Sequence, residues 1–346
     1  MPFETWSAWI ITERRIMHIC LVMAGDEEGG LEKHVVELAQ GLTQHGHVVT
    51  VIAHEKYRAR LVPLNFIAVD LSKSRRNLWV LYQLYQALKT LNPDIVHVHG
   101  NKAAVMVGGL LPFLKQKSVA TLHSRKKNTK MFKNFDAVIA VSPNAAEVLN
   151  HPNKCVVLNG IVPPILNPTI KKPAQPIVLA VGRLVPVKGF DILIQAWKGI
   201  ENAELWIAGE GFEQEKLERL ISDNHLNDTV KLLGYRTDIT SLMQQASLYV
   251  MSSHYEGCPY TMVEALLCET PMISTAVGAM AVILPQQYLC PENDVPALHL
   301  LIQKALNDFG QIQMDHQPVF EFAKEQLVLD GMIDNIEKVY GSVLDE

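Results

Sequence analysis

Two glutamates, Glu256 and Glu264, lie eight positions apart in the stretch HYEGCPYTMVEALLCETP, residues 254–271. Glu256 is in a Gly/Pro turn after a strand-like run. Glu264 is in an apolar run that indicates a helix, with Pro259 at its first position. Carboxylates accept hydrogen bonds from paired hydroxyls, as acidic residues do for ribose in dinucleotide-binding folds. We therefore expect the two side chains to hold two polyol groups of one ligand, such as the sugar and the ribose of a nucleotide sugar.

Backbone N–H groups at the start of this helix could meet a diphosphate between the two polyols, since helix N-termini attract anions. Cys258 and Tyr260 supply such groups, whereas Pro259 has none. The alternative is a glutamate that merely favours the helix dipole plus a second glutamate on the surface. That alternative accounts for Glu256 but not for Glu264 inside an otherwise apolar helix.

Two cations lie five positions apart in the loop of VGRLVPVKGFDIL, which follows another strand-like run. Arg183 could bind a diphosphate as a fork and Lys188 as a point charge. A second glycine loop, AGDEEGGLEKH, precedes a predicted helix, and Gly30 in it would let backbone N–H groups approach a phosphate. Neither loop completes the dinucleotide fingerprint G-x-G-x-x-G, so a tight turn remains the alternative at Gly30.

Three histidines follow or end predicted strands. His97 and His99 alternate in DIVHVHG and therefore share one face of their strand, and His123 ends TLH. Because no carboxylate or cysteine pattern completes a ligand set, we favour histidines in a polar cleft and keep zinc as the alternative.

A basic run lies between Asp94 and Asp136, where the sequence has no acidic residue. Its cations are interleaved with aliphatic residues and are Lys102, Lys115, Lys117, Arg125, Lys126, Lys127, Lys130 and Lys133. Such a patch suits an anionic membrane surface or an anionic acceptor. A solvated surface whose acids come from elsewhere in the fold is the alternative.

The composition limits the classes of protein to which the chain can belong. The 346 residues exceed one ordinary core, so two domains are expected, and 48% hydrophobic with 19% charged residues is a globular composition. A net charge of −5 gives no general attraction to nucleic acid. The five cysteines are scattered without a C-x-x-C pair, which favours a reducing compartment such as the cytoplasm. No run reaches the roughly 18–20 apolar residues that span a bilayer.

Short β-branched runs alternate with helical patterns, which predicts parallel sheets covered by helices. Five prolines between residues 163 and 176 interrupt the alternation, which then restarts. The sequence thus predicts an α/β protein of two Rossmann-like domains facing each other across a cleft. We expect an N-terminal extension at 1–16, a first domain at 17–165, a linker at 166–176 and a second domain at 177–346. The last helix could close the second domain or cross back onto the first.

These motifs together resemble those of the retaining GT-B glycosyltransferases of family 4. EGCPYTMVEA is similar to that family's E-x7-E motif, and VGRLVPVKGFDILIQAW to its donor-phosphate motif. The segments GGLEKHVVELAQGLTQHGHVVTVI, DIVHVHG and TLH are similar to its opening and its next strands. Two positions depart from the family pattern: Glu269 replaces a common glycine, and VGAMAVIL, with Ala279, replaces a Gly-Gly followed by an acid.

The resemblance assigns roles to particular residues. Arg183 and Lys188 would bind the donor diphosphate, Glu256 the donor sugar and Glu264 the ribose. Gly30 would lie near the phosphates and His123 near the donor sugar and the acceptor. The expected catalytic residues are therefore Glu256, His123, Arg183 and Lys188. The remaining donor-binding residues are Gly30, Gly257, Cys258, Pro259, Tyr260 and Glu264. On the acceptor side the candidates are His99, Lys102, His123 and Arg125.

The resemblance also implies the reaction: retaining transfer from a nucleotide sugar, with UDP-sugars favoured, to a glycan or lipid-linked acceptor in surface-polysaccharide or lipopolysaccharide synthesis. Without a D-x-D motif we expect no metal and no other cofactor. We expect an anionic acceptor, no nucleic-acid partner and a cytoplasmic protein in peripheral contact with the inner face of the membrane. A sugar-nucleotide epimerase and a non-catalytic scaffold subunit of the same fold remain the alternatives.

Overall fold

A computed structural model describes residues 15–25 and 29–345. The expected N-terminal extension, residues 1–16, therefore falls almost wholly outside the described residues. The remainder forms two parallel sheets flanked by helices, which confirms two Rossmann-like domains of the GT-B type.

The first domain is built on a seven-stranded parallel sheet of strand order β3-β2-β1-β4-β5-β6-β7. Its strands are β1 His18–Met23, β2 Val48–Ala53, β3 Asn65–Ala68, β4 Ile95–His99, β5 Lys117–Leu122, β6 Ala137–Ala140 and β7 Lys154–Val156. Its helices are α1 Gly30–Gln44, α2 Leu78–Leu91, α3 Gly100–Gly108 and α4 Pro143–Glu147. Short 3-10 helices cover Glu55–Leu61, Leu111–Phe113 and Lys130–Phe132.

The second domain is built on a six-stranded parallel sheet of strand order β10-β9-β8-β11-β12-β13. Its strands are β8 Ile177–Val181, β9 Glu204–Ala208, β10 Val230–Gly234, β11 Leu248–Met251, β12 Met272–Thr275 and β13 Leu289–Cys290. The helices after β8 are α5 Phe190–Ala196, α6 Gln214–Asp223, α7 Ile239–Gln245, α8 Tyr260–Leu267, α9 Met280–Ile283, α10 Val295–Asn307, α11 Phe309–Asp315, α12 Gln317–Gln326 and α13 Leu329–Asp345. Short 3-10 helices cover Pro186–Lys188 and Gln286–Tyr288.

The two domains are joined by two chain segments that lie side by side. Residues 157–176 contain neither helix nor strand, and Ile161 forms a parallel bridge with Val328, just before α13. Gly160 is so close to this second segment that an added Cβ would lie 2.2 Å from the Val328 carbonyl oxygen. A side chain at position 160 would therefore separate the two connections.

The last helix, α13, packs on the first domain. Met332, Ile333 and Ile336 are buried in the same hydrophobic cluster as α1, and the Tyr340 hydroxyl lies 2.6 Å from His97 Nδ1. The other ring nitrogen of His97 lies 2.7 Å from Thr121 Oγ1. Burial lowers the pKa of His97 to about 3, so this imidazole is neutral and its two hydrogen bonds fix its orientation.

Tyr340→Phe tests this attachment of α13. Removing the hydroxyl leaves a buried ring nitrogen of His97 without its partner, and such a group costs about 1–3 kcal/mol. We expect a lower midpoint of urea unfolding for Tyr340→Phe and no change for Tyr235→Phe, whose side chain is 69% exposed. Equal midpoints for the two variants would contradict the role given to the Tyr340–His97 contact.

Candidate functional site

A lysine–glutamate ion pair lies at the carboxyl ends of two adjacent strands, β8 and β11. Lys188 Nζ is 2.6 Å from Glu256 Oε1, and the Ser253 hydroxyl donates to the same oxygen at 2.8 Å. The Lys188 and Glu256 side chains are only 18% and 12% exposed. Both predicted residues thus meet in one place, while Ser253 was not among the predicted site residues.

Backbone contacts lock the Lys188 turn to the end of β11. Gly189 has a left-handed φ of 61°, and an added Cβ would lie 2.2 Å from the Ser252 carbonyl oxygen. The Ser252 hydroxyl donates to the Lys188 carbonyl at 2.9 Å. Only glycine fits this approach, so the sequence VKG holds the lysine above the strand ends.

Arg183 belongs to the same loop, directly after β8, and its side chain is exposed. The Arg183 side chain has no hydrogen bond or ion pair with residues 15–25 and 29–345. Across its loop the Lys188 stem lies 3.3 Å from where a Cβ on Gly182 would be. The loop therefore carries one paired cation and one unpaired cation.

Glu264 lies on α8 and forms an ion pair with the first domain. Lys33 of α1 reaches across, with its Nζ 3.3 Å from Glu264 Oε1 and 4.7 Å from the centroid of the Tyr260 ring. The same ring lies 3.7 Å from the position of a Cβ on Gly30. Gly30 was predicted from one motif and Tyr260 and Glu264 from another, and Lys33 connects the two segments. Lys33 itself was missed, because a lysine on a helix usually indicates only a solvated face.

The loop before α8 is anchored by Asn159, at the end of the first domain. The Asn159 side-chain amide donates to the Cys258 carbonyl at 2.6 Å, and its backbone N–H lies 3.3 Å from Cys258 Sγ. Burial raises the pKa of the Cys258 thiol to about 12, so this thiol is neutral and is no nucleophile. Asn159 was not among the predicted residues. Pro259 was expected at the first helical position and is instead the residue just before α8, with an extended ψ of 136°.

Gly257 contacts the first domain through the backbone. An added Cβ would lie 2.4 Å from the carbonyl oxygen of His123, the residue that follows β5. One residue before Glu256, the Tyr255 hydroxyl donates to the backbone carbonyl of Arg125. The donor-side loop and the predicted acceptor-side segment 123–125 are therefore in direct contact.

Two acceptor-side candidates, Lys102 and Arg125, have different surroundings. The Arg125 side chain is exposed, whereas Lys102 contacts its own domain. The Lys102 ammonium donates to the Ser72 carbonyl at 2.5 Å, which ties α3 to the loop before α2. This hydrogen bond is within the first domain.

His34, His99 and His123 form a cluster in which ligand nitrogens lie within 4.8 Å of one another. His99 Nδ1 is 3.3 Å from His123 Nε2. Burial lowers the pKa of His34 to about 4 and lowers the pKa of His99 and of His123 well below the usual value. The imidazoles are therefore neutral, the form that either a hydrogen-bonded cluster or a metal site requires.

The structure shows what the two residues that depart from the family pattern, Glu269 and Ala279, contact. Glu269 ends the turn after α8 with a left-handed φ of 52°, which glycine adopts without strain. Lys324 Nζ holds its carboxylate at 2.7 Å. In the other segment, the Ala279 N–H donates to the Gly257 carbonyl at 2.7 Å. The altered segment thus still supports the Glu256 loop.

Two family models match the chain and together span residues 28–317. The Glycosyltransferase Family 4 model matches residues 28–163, and the Glycosyl transferases group 1 model matches residues 165–317. The chain belongs to glycosyltransferase family 4. It is a glycosyltransferase of the GT-B fold.

Similar proteins include an uncharacterized glycosyltransferase of Methanocaldococcus jannaschii, 28% identical over 92% of this chain and 95% of the relative. The lipopolysaccharide core biosynthesis glycosyltransferase LpsE of Rhizobium meliloti is 24% identical over 72% of this chain and 76% of its own. Among solved structures, HepE of Anabaena in complex with UDP superposes with a TM-score of 0.81 at 18% identity. That match covers 94% of this chain and all of HepE.

Gly257→Ala tests the backbone contact between this glycosyltransferase's two domains. The new methyl group must move the Glu256 loop away from His123, and a misplacement of about 1 Å can lower a rate roughly 10²-fold. We expect a large loss of sugar transfer, measured as acceptor-dependent product formation.

Gly310→Ala is the matched control, because its added Cβ would meet nothing within 4 Å. We expect it to keep full activity. Full activity in Gly257→Ala would show that the loop does not depend on this contact.

Proposed function

We propose that the enzyme transfers a sugar with retention from a nucleotide-sugar donor, with a UDP-sugar favoured, to a glycan or lipid-linked acceptor. The observation that carries the proposal is the Lys188–Glu256 pair at the strand ends of the second domain, with Arg183 in the same loop as Lys188. Binding of UDP by HepE, which shares this fold, supports the choice of base.

The donor would extend along the line of residues that connects the two glutamates. Arg183, Lys188 and the N–H groups at the start of α8 would contact the diphosphate. Glu256 would bind hydroxyls of the transferred sugar, while Glu264 would bind the ribose. Gly30, on the opposite domain, lies beside the Tyr260 ring, and its backbone would approach the phosphates.

The main chemical task is to stabilise the negative charge that develops on the nucleotide diphosphate as it leaves. Lys188 is already oriented by Glu256, so little reorganisation is needed when that charge appears. The leaving phosphate would accept the proton of the acceptor hydroxyl on the same face of the sugar. We propose that no metal takes part, because cationic side chains are in place for the diphosphate and the sequence has no D-x-D motif.

The acceptor would enter from the first domain, beside His99, His123 and Arg125. His123 is half-buried, and its carbonyl contacts the Glu256 loop, so its position is coupled to that of the donor sugar. Similarity to LpsE supports an anionic acceptor of the lipopolysaccharide-core type. No helix in the described part of the chain is both long and apolar enough to cross a bilayer. We propose peripheral contact with the inner face of the cytoplasmic membrane.

Glu256→Gln and Lys188→Ala are expected to separate catalysis from nucleotide binding. Glu256→Gln should lower turnover by roughly 10- to 100-fold with little change in the dissociation constant of UDP, since charge-assisted hydrogen bonds contribute about 1.5–3 kcal/mol. Lys188→Ala should weaken both turnover and UDP binding. Turnover would be measured by product formation in the presence of EDTA, and binding by titration calorimetry.

Lys216→Ala provides the matched control, because this lysine forms ion pairs with Asp191 and Glu213 and none with Glu256 or Glu264. Equal losses of UDP affinity in Glu256→Gln and Lys188→Ala would contradict the assignment. Activity abolished by EDTA and restored by Mg²⁺ would contradict metal independence. Product formed without an acceptor would favour an epimerase.

A further inference from the structure

One continuous part of the first domain is strongly cationic. Residues 71–135 contain twelve lysines and arginines and a single acid, Asp94, in a chain whose 36 acidic residues outnumber its 31 basic ones. Asp94 accepts the backbone N–H of His18 at 2.7 Å, so its carboxylate is already engaged at the start of β1. The basic stretch therefore begins well before the run between Asp94 and Asp136 that the sequence analysis identified.

The fold divides these cations between two ends of the first sheet. Lys117 begins β5 and Arg125 follows its end, and a six-residue strand spans about 20 Å. The run predicted as one patch is thus two patches. The loop before α2, with Lys73, Arg75 and Arg76, follows β3 and lies at the carboxyl-end edge, as Arg125 does.

The same edge exposes a cluster of large apolar side chains. Leu78, Trp79 and Tyr82, on the first turns of α2, are 81%, 65% and 52% exposed, and the rings of Trp79 and Tyr82 stack with centroids 5.8 Å apart. The opposite face of α2 is fully buried through Leu84 and Leu88. The helix thus has an ordinary core-facing side and, at its start, an aromatic side that faces outward.

The turn that carries this cluster is held in place. The Asn77 side chain caps α2 by accepting from the N–H groups of Trp79 and Val80 at 3.1 and 3.2 Å. The Lys102 ammonium donates to the Ser72 carbonyl and links the loop before α2 to the start of α3. Asp70, the acid at the start of this loop, lies 3.5 Å from Lys73 Nζ. Arg75 and Arg76 are exposed.

We propose that this surface, the rim patch of Lys73, Arg75, Arg76, Leu78, Trp79 and Tyr82, docks on an anionic lipid bilayer. Clustered Lys and Arg side chains are attracted to anionic headgroups, and Trp and Tyr side chains prefer the headgroup level of a bilayer. A second copy of the chain would bring like charges together, which disfavours self-association through the rim patch.

The rim patch shares its edge of the sheet with the acceptor side of the cleft. His99 ends β4 and His123 follows β5, at the same carboxyl ends as the loop before α2. Docking would therefore place the acceptor entrance next to the headgroups, so a lipid-linked acceptor could react without leaving the bilayer. Delivery of a lipid-linked acceptor rests on the proposed function, whereas the docking itself is measured without an assay of catalysis.

Sedimentation of the full chain with vesicles tests the proposal. The vesicles contain phosphatidylcholine alone or phosphatidylcholine with phosphatidylglycerol. We expect binding to the anionic vesicles only, weakened by added salt. Arg75→Gln with Arg76→Gln should weaken partitioning roughly 30-fold, since each basic residue near an anionic surface contributes roughly fivefold. Trp79→Ser with Tyr82→Ser should also weaken it.

Two control variants match these changes away from the rim patch. Lys115→Gln with Lys117→Gln removes the same charge at the other end of β5, and Phe212→Ser removes an aromatic ring that is 79% exposed in the second domain. Both should bind vesicles as the unmodified chain does.

Three results would overturn the docking proposal. These are absence of binding to anionic vesicles, equal binding to neutral vesicles, and a loss of binding in the controls as large as in the rim-patch variants. A concentration-dependent dimer lost in Trp79→Ser with Tyr82→Ser, without vesicle binding, would assign the surface to a second copy. In each case, transfer to a detergent-dispersed acceptor would show whether the proposed function stands independently.

Discussion

The contact between the Gly257 backbone and the His123 carbonyl sets the distance between the two halves of the site. It leaves no room for a side chain, and the neighbouring Tyr255–Arg125 and Asn159–Cys258 hydrogen bonds hold the same loop from both sides. Because α8 begins directly after this loop, the contact also fixes where Glu256 and Glu264 lie relative to the first domain. The site therefore depends on a close contact between two backbone segments, and this contact positions the charged side chains.

The two glutamates of the donor side are already paired. Glu256 is held by Lys188, and Glu264 by Lys33 of the other domain. The Lys188–Glu256 pair has little exposure, so its orientation is retained, whereas Lys33 is 41% exposed and its pair contributes little to stability. A donor that binds Glu264 would compete with Lys33, which links nucleotide binding to the contact between domains.

Much of the fold and of the site could be predicted from the sequence, and the misses have physical causes. Strands β3, β7 and β13 were not recognised; each lies at a sheet edge, pairs on one side only and lacks a long buried run. Helix α3 was interpreted only as a basic run. Glu256 and Lys188 were found because local motifs place them at strand ends, and Glu264 because it interrupts an otherwise apolar helix. Lys33 and Asn159 act through contacts distant in sequence, which no local pattern indicates. Ser253 was missed although its contact with Glu256 is local, because a serine at a strand end is too common to indicate a site.

The most direct test of the donor site is a thermal-shift series with UDP, GDP, ADP and CMP on the unmodified chain, Glu264→Ala and Lys33→Met. A ligand at about 100 times its dissociation constant stabilises the folded state by roughly 2.7 kcal/mol. Both variants break the Lys33–Glu264 pair, but only Glu264→Ala removes the proposed ribose ligand. We expect a shift with UDP that persists in Lys33→Met and is lost in Glu264→Ala. No shift with any nucleotide, or the same shift in all three proteins, would contradict the assignment of Glu264 to the donor.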